Sequence, residues 1–178
     1  HYYMWDAQQN YWSGHEWNSA NPWQPVLNNN SNSNYAQSNS DPRYYNESYP
    51  TYGTYSCATL PNANEMSWYC KYGDPRWDAD ELWSTMGHLY KGGMWFKKKS
   101  VLQAEHHYDT EKSADGSTDV RTTYKYYENT NSIRSGLPSA ADAGNYFYLP
   151  ALGYYDRGQL IDVGSVGVYW SSNTSTLM

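Results

Sequence analysis

The chain has 178 residues, which suits one domain, and a formal net charge of −6 with only 17% charged side chains. This acidic balance disfavours a nucleic-acid partner, for which a basic stripe is expected, and no apolar run approaches the roughly 20 residues of a membrane span. The chain contains 21 tyrosines and nine tryptophans but only two phenylalanines. This composition is typical of binding surfaces, where one end of an aromatic side chain is buried and the other faces water, and it indicates an extracellular recognition protein.

The first part of the chain is predicted to be extended or irregular. The stretch NPWQP at 21–25 is expected to be extended, because residues before proline avoid the helical region. Residues 28–56 are polar and poor in apolar side chains, which predicts a long surface loop. Cys57 and Cys70 then follow at a spacing that fits no zinc site. A disulfide and two buried thiols both stay open for this pair.

The first helix is predicted just after residue 61. Asn62 is a suitable N-cap, and Glu65 follows three residues later, which is the spacing of a capping box. Gly73 is predicted to end the helix. The apolar face at i, i+3 and i+4 consists of Met66, Tyr69 and Cys70.

A second helix is predicted over residues 78–91. Asp78 and Glu81 repeat the capping-box spacing, and Lys91 followed by Gly92-Gly93 is a suitable helix end. His88 would lie on this helix as a partly buried residue with no catalytic role. The apolar side chains at i, i+4, i+7 and i+8 are Leu82, Met86, Leu89 and Tyr90.

The remaining predicted elements are strands. MWF at 94–96 is a short apolar strand, and residues 119–128 have the β-branched and aromatic content of another. Residues 144–155 and 166–172 are predicted as two further strands joined by a glycine-rich turn. Two helices with several irregular strands and long loops predict one α+β domain over residues 1–178.

Four blocks of the sequence carry a family resemblance: LPNANEMSWY (60–69), GDPRWDADELWSTMGHLYKGGMWF (73–96), LPSAADAGNYFYLPALGYY (137–155) and VGSVGVYWSS (163–172). Together they resemble the Fibrobacter succinogenes major paralogous domain family, which is abundant in secreted and surface proteins of Bacteroidetes-type bacteria. The pair LPALGYY and GVYWSS is the most specific part. Members continue past YWSS with further strands, so the resemblance implies a domain truncated there or completed from elsewhere, with an open sheet edge that favours oligomerisation.

The resemblance implies a C-type-lectin-like fold related to the formylglycine-generating-enzyme architecture, with irregular antiparallel strands. Some relatives are variable proteins of diversity-generating retroelements, in which the segment around YWSS is diversified for ligand binding. The cysteine pair of the formylglycine-generating relatives lies late in the chain, so that chemistry does not carry over to Cys57 and Cys70. The implied ligand-binding residues here are Tyr154, Tyr155, Asp156, Arg157, Gln159, Asp162, Ser165, Tyr169 and Trp170.

These candidate residues have alternative interpretations as framework. Taken alone, Trp170 is expected in the core, as is Tyr148, whereas Tyr154, Tyr155 and Arg157 are expected to be exposed and functional.

No metal site is expected. An acidic cluster could bind calcium but is better explained as helix-start acids, and two histidine-containing pairs are better explained as solvated side chains. The cluster is Asp74, Asp78, Asp80 and Glu81, and the pairs are His106-His107 and His15-Glu16.

The sequence carries no motif of a nucleophile with its base, of a phosphate-binding loop or of a zinc protease. We therefore expect a non-enzymatic domain that binds a glycan or a protein without a cofactor, at the cell surface or outside the cell. No signal peptide is visible in the opening HYYMWDAQQN. Two alternatives stay open: a structural or assembly domain of a surface protein, and a carbohydrate-active enzyme, which needs only two carboxylates.

Overall fold

The computed structural model describes residues 55–85, 88–156 and 159–173, together with residues 3–4 and 20. Within these residues the protein is a mixed α+β fold with two α-helices and a four-stranded sheet. Two short antiparallel pairs, β1–β2 and β7–β8, lie outside that sheet. The elements are β1 (Tyr3–Met4), β2 (Tyr55–Ser56), α1 (Ala63–Tyr72), β3 (Arg76–Thr85), β4 (His88–Lys97), α2 (Lys99–Ala104), β5 (Arg134–Ser135), a 3₁₀ turn (Ala143–Asn145), β6 (Tyr146–Pro150), β7 (Tyr154–Asp156) and β8 (Gln159–Ile161).

The four-stranded sheet has the order β5-β3-β4-β6. Strands β3, β4 and β6 are antiparallel neighbours, and β5 joins the edge of β3 in parallel through two residues. Phe96 of β4 lies opposite Phe147 of β6, and both rings pack against the helices. The buried core beneath them is aromatic, and consists of Trp68 and Tyr69 of α1, Leu102 of α2, and Tyr108.

The first predicted helix is confirmed. Helix α1 begins after Asn62, whose Oδ1 accepts a hydrogen bond from the Glu65 N–H at 3.0 Å, as the N-cap prediction requires. It ends at Gly73, with φ −71°, and the left-handed conformation falls on the next residue, Asp74, at φ 44°. The Glu65 carboxylate does not return to the cap; it accepts hydrogen bonds from the Tyr69 hydroxyl and the Lys99 ammonium.

The second predicted helix is wrong, because residues 76–85 and 88–97 are the two strands of a β-hairpin. Asp78 does accept hydrogen bonds from the N–H groups two and three residues later, as an N-cap would. Here those bonds close a turn inside β3, where the pairing register with β4 shifts between Asp78 and Leu82. Capping chemistry is local and serves a β-bulge as well as a helix start. Gly92 and Gly93 lie within β4 and end no helix.

Other predicted elements have mixed outcomes. The strand at 94–96 is confirmed inside β4, and residues 144–155 contain β6 and the first two residues of β7. Residues 119–128 form no strand, and residues 166–172 make only an isolated bridge between Gly153 and Gly167. The second helix is α2, in a segment where the sequence predicted none. The loop predicted at 28–56 lies outside the described residues, except for β2 at its end.

Candidate functional site

The C-terminal segment, residues 153–170, begins with a two-stranded hairpin. Tyr154 pairs with Ile161, and the chain then returns so that Gly153 and Gly167 form a parallel bridge. The Gly153 N–H donates to the Val166 carbonyl at 2.6 Å. Gly153 has φ +69°, and a side chain there would overlap the Ile161 carbonyl, so glycine is required for this close return.

The turn after β8 is built by two of the predicted binding residues. Asp162 has φ 57°, and its carbonyl accepts hydrogen bonds from the Ser165 N–H, the Ser165 hydroxyl and the Val166 N–H. Both side chains are exposed. The backbone of Asp162 and Ser165 therefore shapes the turn, and the side chains of both residues are accessible to solvent.

Alternate residues after this turn are apolar and exposed. The exposed fractions are 40% for Val166, 60% for Val168 and 65% for Trp170. The expectation that Trp170 belongs to the core is therefore wrong. Tyr169, between them, is part-buried and donates its hydroxyl hydrogen bond to the Pro150 carbonyl, and burial raises the pKa of its phenol.

The other predicted binding residues are distributed along the hairpin. Tyr154 is exposed at 39% on β7. Tyr155 pairs with Leu160, and Asp156 pairs with Gln159, which places these three predicted residues on the two strands. Arg157 lies outside the described residues. Among the described residues, the structure thus brings six predicted binding residues together on one hairpin and its turn: Tyr154, Tyr155, Asp156, Gln159, Asp162 and Ser165.

A groove of about 340 Å³ lies beside the C-terminal segment. It opens between a half-buried face of α1, the loop 119–128 and residues 169–171. Tyr169 is the predicted binding residue that the groove shares with that segment. Its main lining side chains are Met66, Cys70, Tyr124, Lys125, Tyr127 and Tyr169.

The loop that forms one wall of the groove is held to α1 by a buried amide. Asn64 is fully buried, and its Nδ2 donates to the Glu111 carbonyl at 2.7 Å and to Asp119 Oδ1 at 3.0 Å. Its Oδ1 accepts from the Val120 N–H at 2.9 Å. Trp68 Nε1 adds a hydrogen bond to the Lys112 carbonyl at 2.7 Å. These contacts place the wall although it contains no regular secondary structure.

Two aspartates organise the loop internally. Asp115 forms an ion pair with Lys125 and accepts hydrogen bonds from Ser117 and Thr118, and these contacts lower the pKa of its carboxyl. Arg121, followed by the hydrogen bond from Asn64, lowers the pKa of Asp119 in the same way. The Lys125 ammonium, which lines the groove, is therefore already paired with an acid.

Neither cysteine is in a disulfide: Cys57 is buried as a free thiol, and Cys70 is a part-buried free thiol on the groove. Burial raises the pKa of the Cys70 thiol. The alternative of two thiols is the one that this structure contains. A cysteine in such surroundings is protonated at neutral pH and reacts slowly.

Three of the four acidic residues considered for calcium, Asp74, Asp78 and Asp80, have protein partners for their carboxylates. Asp74 accepts hydrogen bonds from Arg76 and from the Tyr146 hydroxyl; burial opposes ionisation, but these contacts lower the pKa of its carboxyl. Asp80 lies 3.6 Å from Lys91 in an exposed pair. Among the described residues, no group of three or more His, Cys, Asp or Glu side chains could hold a metal ion.

The neighbouring histidines His106 and His107 have different partners and do not face a common site. His106 is 3.4 Å from Asp109, whereas the His107 ring stacks on Tyr72 with centroids 4.6 Å apart. His88 is the first residue of β4 and not part of a helix. His15 and its neighbour Glu16 lie outside the described residues.

Comparisons with protein-family models, with curated proteins and with solved structures gave no match to this chain. The family resemblance therefore stays a prediction from the residues. In the described part of the chain, no helix is both long and apolar enough to cross a membrane.

The groove was missed by the sequence analysis because its wall was predicted as a strand. Tyr124 and Tyr127 fall in that stretch, and Tyr124 is 92% exposed. The available signal was Asp115-Gly116-Ser117, a turn-forming tripeptide directly upstream, in which Gly116 has φ +76°. Because this segment is a loop held by aspartate side chains and not a strand, its tyrosines are exposed or line the groove.

Proposed function

We propose that this chain is a non-enzymatic, C-type-lectin-like ligand-binding domain of an exported bacterial surface protein. It binds a glycan or a protein through the C-terminal segment. The observation that carries the proposal is the exposure of Val166, Val168 and Trp170 on that segment. Apolar side chains grouped on an irregular surface loop add nothing to a core, and such patches mark interaction sites.

The scaffold beneath these side chains supports the proposal. The Gly153–Gly167 bridge and the Tyr169–Pro150 hydrogen bond hold the segment against the end of β6. The Gly164 N–H donates to the Ala151 carbonyl at 2.8 Å. A braced loop loses little conformational entropy when a ligand binds, which favours recognition by side chains that vary on a constant backbone. This agrees with the resemblance to variable proteins.

The test is binding of the purified chain to a broad glycan array, with and without a calcium chelator, and to candidate surface proteins. Trp170→Ala should abolish binding while leaving the free energy of unfolding within about 0.5 kcal/mol of the original protein, and Tyr154→Ala should also abolish binding. The matched control is Leu89→Ala, which removes an equally exposed apolar side chain (69%) from the β3–β4 hairpin.

Retained binding by Trp170→Ala, or an equal loss in Leu89→Ala, would overturn the assignment of the site. We expect chelation of calcium to leave binding unchanged, because the carboxylates of Asp74, Asp78 and Asp80, three of the four considered for calcium, have protein partners.

The second candidate function is that of a structural or assembly domain of a surface protein. Its support is the position of β6 at one end of the four-stranded sheet, where, among the described strands, it pairs with β4 alone. An open strand edge is a template for a strand from another chain. Light scattering at increasing concentration tests it: dimers that dissociate on dilution would support assembly, and a monomer throughout would refute it.

A further inference from the structure

We propose that the groove between α1 and the loop 119–128 is a second binding site, and that its ligand is a neutral saccharide. The groove shares Tyr169 with the C-terminal segment, but Val166, Val168 and Trp170, the exposed side chains of that segment, do not line it. Three phenol rings surround it, from Tyr124, Tyr127 and Tyr169, and Met66 lines it from α1. The electron-rich face of an aromatic ring attracts weakly positive C–H bonds, which a sugar ring presents on its apolar face.

Two of the three rings are fixed before any ligand arrives. The Tyr169 hydroxyl is hydrogen-bonded to the Pro150 carbonyl, and the Tyr127 hydroxyl shares a hydrogen bond of 2.7 Å with Ser113 Oγ. Ser113 is fully buried, so it anchors Tyr127 to the interior of the loop. Tyr124, by contrast, projects into solvent at 92% exposure. The two fixed rings require little ordering on binding, and the exposed Tyr124 ring is the one that a ligand would order.

The charges of the groove favour a neutral ligand. Lys125 is the charged residue among those that line it, and its ammonium is paired with Asp115 and lies 5.5 Å from the centre of the Tyr127 ring. An anionic ligand would have to compete with Asp115 for this lysine. It would also approach a chain with a net charge of −6. A cationic ligand would find no carboxylate on the lining.

The shape favours a saccharide over a peptide. Protein partners are anchored by side chains in well-packed, desolvated pockets. This groove is open, and its outer wall is a tyrosine that is almost wholly exposed. Hydroxyl groups line it alongside the rings, including that of Ser171, and these suit a ligand with many hydroxyls.

Cys70 provides a local readout, because its thiol lines the groove while Cys57 is only 3% exposed. The rate of alkylation of Cys70 by iodoacetamide is measured by mass spectrometry at mildly alkaline pH. Neutral gluco-, xylo-, manno- and arabino-hexaoses are tested in turn at increasing concentration. An oligogalacturonate and a proline-rich peptide serve as the acidic and peptide comparisons.

We expect at least one neutral hexaose to slow alkylation of Cys70 in a saturable manner. Tyr124→Ala should weaken this protection about tenfold or more, equivalent to about 1.4 kcal/mol of binding free energy. The matched control is Tyr126→Ala, which removes an exposed tyrosine (70%) from the same loop that does not line the groove. Protection in that variant should equal that of the original protein.

The proposal is overturned if no neutral hexaose protects Cys70, or if the proline-rich peptide or the oligogalacturonate alone does so. An equal loss in Tyr124→Ala and Tyr126→Ala would also overturn it. Trp170→Ala separates this site from the C-terminal segment, because it should leave the protection of Cys70 unchanged. The groove proposal and the proposed function can therefore fail independently.

Discussion

The Trp95 indole N–H donates a hydrogen bond of 3.1 Å to Asp78 Oδ2, across the two strands of the β3–β4 hairpin. The other carboxylate oxygen accepts from the N–H groups of Asp80 and Glu81, both at 3.1 Å. Asp78 is 4% exposed, so one buried carboxylate satisfies three donors. It connects the bulge in β3 to the neighbouring strand.

We expect Asp78→Ala to lower the free energy of unfolding by about 2–4 kcal/mol, because three donors lose a charged acceptor in a buried place. Asp80→Ala is the matched control: its carboxylate is 91% exposed, and the change should cost less than about 0.5 kcal/mol. Urea unfolding followed by tryptophan fluorescence measures both. If Asp78→Ala and Asp80→Ala lowered the free energy of unfolding by the same small amount, the bulge would be held by backbone pairing alone.

The buried amide of Asn64 should contribute more to the free energy of unfolding than the N-cap, Asn62, two residues before it. Asn64→Ala leaves the Val120 N–H without its acceptor and opens a cavity, so we expect a loss of about 3 kcal/mol in the free energy of unfolding. Asn62→Ala removes only the cap hydrogen bond and should cost about 1 kcal/mol. If Asn64→Ala cost no more than Asn62→Ala, the loop would be held by other contacts.

The Tyr148 hydroxyl is buried without a hydrogen-bond partner and packs over Gly93. Burial, then the charges of Asp78 and Glu81, raises the pKa of this phenol to about 12, so it stays neutral. Tyr148→Phe should leave the free energy of unfolding unchanged or raise it by up to about 1 kcal/mol.

The close packing also predicts the effect of a methyl group on the neighbouring strand. Gly93→Ala should cost about 1–3 kcal/mol, because its Cβ would overlap the Tyr148 hydroxyl and the Leu149 carbonyl, and Tyr148→Phe should recover only the part of that loss due to the hydroxyl. Gly144→Ala is the control, since no other atom lies within 4 Å of the added group. A cost for Gly93→Ala no greater than that of the control would contradict this packing.

Acid should weaken the loop that borders the groove. The folded pKa values of Asp115 and Asp119 lie below their unfolded value of about 3.9, so their stabilisation is fully present only well above that value, at about pH 5 and higher. It is lost as pH falls from about 5 through the folded pKa values. The free energy of unfolding, measured from pH 7 to pH 2, should therefore decrease on acidification.

The double variant Asp115→Asn and Asp119→Asn should show a shallower decrease over the same range, whereas Asp80→Asn should follow the original protein. A double variant with the same slope would assign the acid sensitivity to other carboxylates. Exposed ion pairs are screened by salt, so the comparison is made at one ionic strength.

Helix α1 shows how far local chemistry predicts this fold. Its N-cap, its end and the burial of Tyr69 follow from the Asn62–Glu65 spacing, Gly73 and the apolar period. The same spacing at Asp78 failed, because an aspartate that binds the N–H groups two and three residues later suits a helix start and a β-bulge alike. What separates the helix from the hairpin at residues 78–91 is contacts between the two strands. The Trp83 ring stacks on the Tyr90 ring with centroids 5.0 Å apart, and the Trp95 indole N–H donates to Asp78.

By itself, the sequence determined the α+β class, helix α1, the apolar strand segment at 94–96 and the presence of a strand within 144–155, because caps, periodicity and β-rich composition act over a few residues. Only the tertiary structure decided that residues 76–97 form a hairpin, that Asn64 holds the loop 119–128 against α1, and that Trp170 is exposed. Each of these depends on contacts between residues far apart in the chain, which no local pattern encodes. The two binding surfaces proposed here depend on those contacts.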